Sequence, residues 1–171
     1  MRNIIKIAVD SESNGGGEQK VRYGTSKGEY LEDFVQCGHF RDGLARVEKN
    51  FQYGFIDESG RVVVPPVYDY ADIFINGFAY VEKKDKFGFV DKSGNVVVPI
   101  VYDDVDEYGF REGLAAVKKD GKWGFIDESG AEVVSFEYDE VGCFCQGLAK
   151  VQKENCKWFI DNTGRKVLEC D

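Results

Sequence analysis

The sequence predicts an all-β protein of tandem three-stranded antiparallel meander repeats in an open stack, with a small closed β-propeller as the alternative. Three observations lead there. A motif of Phe, two residues, Gly, an apolar residue, Ala, any residue and Val recurs four times, led by Phe40, Phe74, Phe110 and Phe144. The intervals between these phenylalanines are 34, 36 and 34 residues, and a fixed period in this range marks a repeat array. Finally, 13 Phe, 9 Tyr and 20 Gly stand against a single Met, which favours strands and turns over helices.

The first 38 residues fall outside the period. Ile4 to Val9 reads as a strand, Gly15-Gly16-Gly17 as a loop, and Val21 to Tyr23 as another short strand. Tyr30-Leu31-Glu32-Asp33-Phe34-Val35 echoes the linker that precedes each later leading Phe. Residues 1–38 are therefore read as a degenerate unit capping the array, because terminal repeats are atypical. Residues 39–171 are read as four repeats, at about 40–73, 74–109, 110–143 and 144–171.

The third repeat illustrates the unit. Gly113 to Lys119 alternates apolar and other residues, the pattern of a half-buried strand. Asp120-Gly121 is a hairpin turn signal, since Gly accepts positive φ without a steric penalty. Lys122 to Asp127 is the second strand, with Trp123 and Phe125 on one face and Gly124 and Ile126 on the other. Asp127-Glu128-Ser129-Gly130 closes the next turn, its Asp accepting backbone N–H bonds and its Gly taking the left-handed position. The same device stands at Asp57, Asp91 and Asp161. A third strand follows at Arg61 to Val64, Asn95 to Val98, Ala131 to Val134 and Arg165 to Leu168. Pro65-Pro66 and Pro99 are expected to end it by removing ladder donors. The linkers carry Tyr68-Asp69, Tyr102-Asp103 and Tyr138-Asp139. One meander cannot bury a face alone, so the units must stack.

The run from Gly113-Leu114-Ala115 through Val117, Asp120-Gly121-Lys122-Trp123-Gly124-Phe125-Ile126-Asp127 to Ser129-Gly130 resembles the WG-repeat family, also called KWG repeats. The Val-Pro and Tyr-Asp elements match as well, and the resemblance covers about residues 39–171. The Trp-Gly pair is intact only at Trp123-Gly124. Tyr53-Gly54 and Phe87-Gly88 keep an aromatic before Gly, whereas the last unit has Lys157 and Trp158 at these two positions, as in a divergent cap. The resemblance implies a bacterial-type β-repeat interaction module with no catalytic residue.

A formal net charge of -9 and a pI near 4.7 disfavour a nucleic-acid surface, which needs clustered Lys and Arg. No apolar run has signal-peptide or membrane-helix length, so a cytoplasmic protein without membrane contact is expected. The single histidine, His39, lies in a linker, and no nucleophile elbow, phosphate loop or zinc-protease motif is present. Asp57, Asp91, Asp127 and Asp161 occur once per repeat, which suits turn capping rather than a catalytic carboxylate pair. Their spacing also matches no calcium loop. Five cysteines, Cys37, Cys143, Cys145, Cys156 and Cys170, form neither a regular disulfide framework nor a standard zinc knuckle. No enzyme activity, cofactor or metal is expected.

The functional expectation is a protein–protein interaction module. Its acidic surface would dock a protein partner, a basic one among the candidates, as an accessory subunit or an inhibitor of immunity type. A lectin-like array binding glycans or small ligands is the alternative. Aromatic residues that the repeat does not require mark the candidate surface: Phe51 where other units have Asp85, Gly121 and Asn155; Tyr70 opposite Asp104 and Glu140; Tyr80 in place of Arg46, Ala116 and Lys150; and Tyr108 in the two-residue insertion. Irregular placement suits a protein interface, since lectin sites would repeat identically.

Overall fold

Short alternating segments separated by glycine and Asp turns produce strands and no helix in the computed structural model. This holds among the described residues, which are 4–7, 22–25, 30–31, 34 and 36–169, with side chains given for Phe34 and 38–168. The glycine loop expected at 15–17 lies outside them. Strands β1 (Ile4–Ile7), β2 (Arg22–Thr25) and β3 (Tyr30–Leu31) form one antiparallel sheet. Strands β4 (Gln36–Cys37), β5 (Leu44–Lys49), β6 (Gln52–Asp57) and β7 (Val62–Tyr68) form a second in that order, and β8 (Tyr70–Ala71) follows. Strands β9 (Phe78–Lys83), β10 (Lys86–Asp91) and β11 (Val96–Tyr102) make the next meander. Strands β12 (Asp104–Val105), β13 (Leu114–Lys119), β14 (Lys122–Asp127) and β15 (Glu132–Tyr138) make another, and β16 (Glu140–Val141), β17 (Leu148–Lys153), β18 (Cys156–Asp161) and β19 (Lys166–Glu169) the last. Among the described residues no sheet closes into a barrel. The chain divides into two compact units, Met1–Ile73 and Phe74–Asp171.

The tandem meanders are as the sequence predicts, with three differences of detail. The linkers carry a strand of their own. After Tyr102-Asp103 the chain pairs Asp104 with Lys118 and Val105 with Val117, so β12 joins the sheet of the following repeat. Glu140 and Val141 do the same with Gln152 and Val151.

The prolines do not end the third strand. β7 runs through Pro65-Pro66 and β11 through Pro99. Phe87 pairs with Tyr102 and Phe89 with Val98, so one residue, Gly88, opposes three on β11. Pro99 sits in that bulge on a sheet edge, where its missing donor breaks no ladder bond.

Gly113 belongs to a turn rather than to the strand. Arg111 and Leu114 exchange both backbone hydrogen bonds, at 2.8 and 2.9 Å, across Glu112 and Gly113, whose φ angles are +52° and +82°. This two-residue turn with both φ positive twists as the flanking strands do.

The bulge explains the glycine in each Trp-Gly-type pair. A Cβ on Gly88 would lie 2.6 Å from the Val98 carbonyl oxygen, and one on Gly124 would lie 2.7 Å from that of Val134. Gly54 is equally crowded by Val64, Pro65 and Pro66. In the third repeat the room so gained is filled by Phe136 from the bulge, which stacks on Tyr102 of the preceding repeat at 6.1 Å between centroids. The last repeat reaches the same result differently. Trp158 pairs with Val151 where Gly124 pairs with Val117. Its β19 partner shows no bulge there, since Trp158 and Phe159 pair consecutively with Glu169 and Leu168. The indole itself meets Tyr138 of the preceding repeat, again at 6.1 Å.

Burial follows from stacking within the unit Phe74–Asp171. Phe89, Val98, Tyr102 and Val105, together with Phe110, pack against Ala115, Val117 and Ile126 of the next repeat. Phe125, Val134, Tyr138 and Phe144 pack likewise against Ala149, Val151 and Ile160. In this unit Phe110 and Phe144 each lie on the front-face Phe of the repeat before, with 4.8 Å between centroids for both Phe89–Phe110 and Phe125–Phe144. In the unit Met1–Ile73, Ala45, Val47 and Ile56 take the equivalent back-face positions, and Phe34 and Phe40 pack on them.

Two glycines in one repeat should therefore fail for different reasons. Gly124→Ala is expected to destabilise by about 2–3 kcal/mol, because the added carbon meets backbone and a packed ring. Gly121→Ala has nothing within 4 Å but sits at φ +79°, and is expected to cost about 1–2 kcal/mol through conformation alone. Gly121→Asn should be nearly neutral. Urea denaturation of the three variants checks the ranking.

Acid should weaken the turns. Hydrogen bonds from the Ser129 hydroxyl and the Ala131 and Ser129 amides hold the Asp127 carboxyl below its ordinary value. The Thr163 hydroxyl and amide do the same for Asp161. Burial opposes ionisation at Asp57 and Asp91, but the bonds from Ser59, Arg61, Ser93 and Asn95 outweigh it. A carboxyl more acidic when folded stabilises above the unfolded value of about 4 and loses that contribution as pH falls through the lower folded value. Burial raises Asp106, which acts in the opposite sense. Urea midpoints measured from pH 7 to pH 2.5 should fall below about pH 4, and less steeply in Asp127→Asn.

Candidate interaction surface

The four irregular aromatics occupy different environments. Phe51 is 85% exposed. It is the second residue of the β5–β6 turn, between Lys49 and Gln52, with φ +62° after Asn50 at +52°. Asp85, Gly121 and Asn155 hold the same position in the other hairpins, at +58°, +79° and +67°. Gly, Asn and Asp tolerate this region, whereas a bulky side chain is strained there.

Tyr70 is half-buried beside Tyr53, 6.0 Å between ring centroids. Arg46 lies over both rings, its guanidinium carbon 5.3 Å from Tyr53 and 5.7 Å from Tyr70, and its Nη1 donates to the Ala71 carbonyl at 2.8 Å. Tyr80 is also half-buried, against Phe87 and Phe89 at 6.4 and 6.5 Å, within the inter-repeat cluster. Tyr108 is 45% exposed. It stands in a turn held by Asp106, which accepts the Tyr108 amide at 3.0 Å, and Arg111 lies 5.6 Å from its ring. Phe51 and Tyr108 thus present open rings, while Tyr70 and Tyr80 are largely committed to packing.

The residues read as structural occupy the turns and the stack. Asp57, Asp91, Asp127 and Asp161 each accept the amides two and four residues onward, between 2.8 and 3.1 Å. Trp123 is half-buried at the margin of the inter-repeat core, with Lys118 Nζ 5.7 Å from its ring.

Sequence reasoning missed how the acid of the Tyr-Asp linker is used. Asp103 accepts Lys86 Nζ at 2.6 Å within its own repeat and the Gly121 amide at 3.1 Å from the hairpin of the next. Asp139 accepts Lys122 and the Glu154 amide in the same way. These bonds hold both carboxyls below their ordinary values, with the lysine partner the larger cause. Glu112 makes a second tie, accepting the Gln146 and Gly147 amides at 2.7 and 2.8 Å. Asn76 adds a third, donating Nδ2 to the Phe110 carbonyl at 3.1 Å. The co-occurrence of Lys before the aromatic and Asp after Tyr was the available signal.

Chemistry beyond binding has little to build on among the described residues. No group of three His, Cys, Asp or Glu side chains converges on a metal position. Cys143 is half-buried, Cys145 and Cys156 are exposed, and all three are free thiols; Cys170 lies outside the described residues. His39 is exposed. Among the described residues no helix is long and apolar enough to cross a membrane.

No curated protein matches the sequence. The WG containing repeat family matches three consecutive segments, residues 53–87, 87–123 and 123–158. The boundaries at 53, 87 and 123 fall on the aromatic that precedes a crowded glycine. With the matched stretch spanning more than half of the chain, and the same meander, bulge and Asp turn recurring in the structure, the protein belongs to the WG containing repeat family.

Proposed function

We propose that this protein is a non-enzymatic protein–protein interaction module, cytoplasmic, whose acidic β-repeat surface docks a basic protein partner as an accessory subunit or an inhibitor of immunity type. Phe51 carries the reading. It is the most exposed of the large hydrophobic residues described and stands on a strained hairpin position. The three sister hairpins place Asp85, Gly121 and Asn155 there, residues that tolerate positive φ. A strained backbone position occupied by an open aromatic ring is costly to the fold and useful to an interface, where aromatic anchors dominate binding. Tyr108, over which Arg111 lies, is the second open ring. The net charge of -9 supports steering of a positively charged partner. Irregular aromatics favour a protein partner over the glycan or small-ligand reading, in which the same site would recur in every repeat.

Phe51→Asn separates binding from folding by sign. Removing the strain should raise stability by about 0.5–1 kcal/mol, while removing the anchor should weaken binding by about 2 kcal/mol or more. The test is capture from native lysate on tagged wild-type and variant protein, with salt-gradient elution, mass spectrometry and a parallel urea titration. The expected result is one basic protein held by the wild type, released by salt, and lost from a variant that is more stable than its parent. Capture unchanged by the substitution, or no capture by folded protein, would reject the reading and direct the search to glycan arrays.

A further inference from the structure

The front face of the last repeat departs from the rule that the inner repeats obey. In the third repeat Leu114, Ala116, Phe125 and Val134 share this face and are covered by Ala149, Val151 and Ile160. In the last repeat the matching residues are Leu148, Lys150, Phe159 and Leu168, with Lys157 in place of Trp123. Strand pairing puts them together: Lys150 lies opposite Phe159, Gln152 opposite Lys157, and Leu168 opposite Phe159. Leu168 is 60% exposed and Leu148 and Phe159 are half-buried. Beside them lies a recess of about 220 Å³ lined in part by Glu140, Lys150, Gln152 and Lys157.

Two features bear on what covers this face. The apolar positions of a stacking surface are retained at Leu148, Phe159 and Leu168. Relative to the third repeat, Lys150 in place of Ala116 and Lys157 in place of Trp123 both introduce ammonium groups. Among the described residues, neither the Lys150 nor the Lys157 ammonium has a hydrogen-bond or ion-pair partner. Three other lysines are paired, Lys86 with Asp103, Lys122 with Asp139 and Lys153 with Glu137. We propose that the front face of the last repeat is a docking surface for an acidic protein segment that brings an apolar side chain onto Phe159 and Leu168 and carboxylates to Lys150 and Lys157. A second copy meeting through the same face would set these lysines against themselves, and a basic segment would meet two unneutralised charges; like-charge juxtaposition is penalised at interfaces. The surface belongs to the last repeat rather than to the Phe51 hairpin, and its partner is opposite in charge to the basic one proposed there.

A synthetic peptide rich in glutamate and leucine, titrated against isotope-labelled protein, tests the proposal. Saturable amide shifts along β17 and β18 are expected, with affinity falling roughly tenfold in the Lys150→Glu/Lys157→Glu variant and severalfold in Leu168→Ser. All these side chains are on the surface, and an unchanged spectrum for the other strands confirms folding. Absence of saturable shifts on this face, or undiminished affinity in the charge-reversed variant, would overturn it. So would identical shifts with inorganic tripolyphosphate together with unaltered peptide binding by Leu168→Ser, which would reduce the face to a simple anion site.

Discussion

On β13, Leu114 and Ala116 look one way, Ala115 and Val117 the other, and all four are buried. A meander of this kind has two apolar faces and can cover neither by itself. Stacking on both neighbours is the constraint from which the other features follow. Fully burying a Val, Ile or Phe side chain contributes about 1.5–3 kcal/mol, and both inter-repeat interfaces within Phe74–Asp171 bury several. The exposed Lys86–Asp103 and Lys122–Asp139 pairs add little to this, because solvent screens them. Their contribution is registry: one carboxylate binds its own repeat and the hairpin amide of the next, which fixes how neighbouring sheets slide past each other.

Close stacking also accounts for the glycine after each aromatic. With no side chain at Gly124, β15 bulges over it and delivers Phe136 to the interface, where it stacks on Tyr102. The last repeat removes the bulge and the glycine together and supplies the ring from Trp158 instead. Both interfaces thus set an aromatic ring against the preceding tyrosine. Glycine with a bulge is one local route to that contact, and the last repeat keeps the contact without the Trp-Gly dipeptide.

The candidate interaction residues were only partly legible. Comparing aligned positions singled out Phe51, Tyr70, Tyr80 and Tyr108 as aromatics the repeat does not demand, yet alignment carries no information about exposure. Tyr80 faces a neighbouring repeat and Tyr70 is held by Arg46, whereas Phe51 projects from a turn. The front face of the last repeat was less legible still. Lys150 and Lys157 read as ordinary surface lysines until strand pairing places them on one face with Phe159 and Leu168.

The sequence by itself determined the period, the hairpins and the Asp turns, because these depend on residues close together in the chain: alternation sets the strands, and left-handed positions select Gly, Asn or Asp. It also determined that the units must stack, since no single meander can bury its apolar residues. Tertiary structure alone decided that the linker pairs into the following sheet, that Pro99 lies within a strand, and that Asp103 reaches a hairpin 18 residues away. Those outcomes depend on which repeat lies against which, and on two backbones approaching closely enough that one carbon atom at Gly124 would separate them.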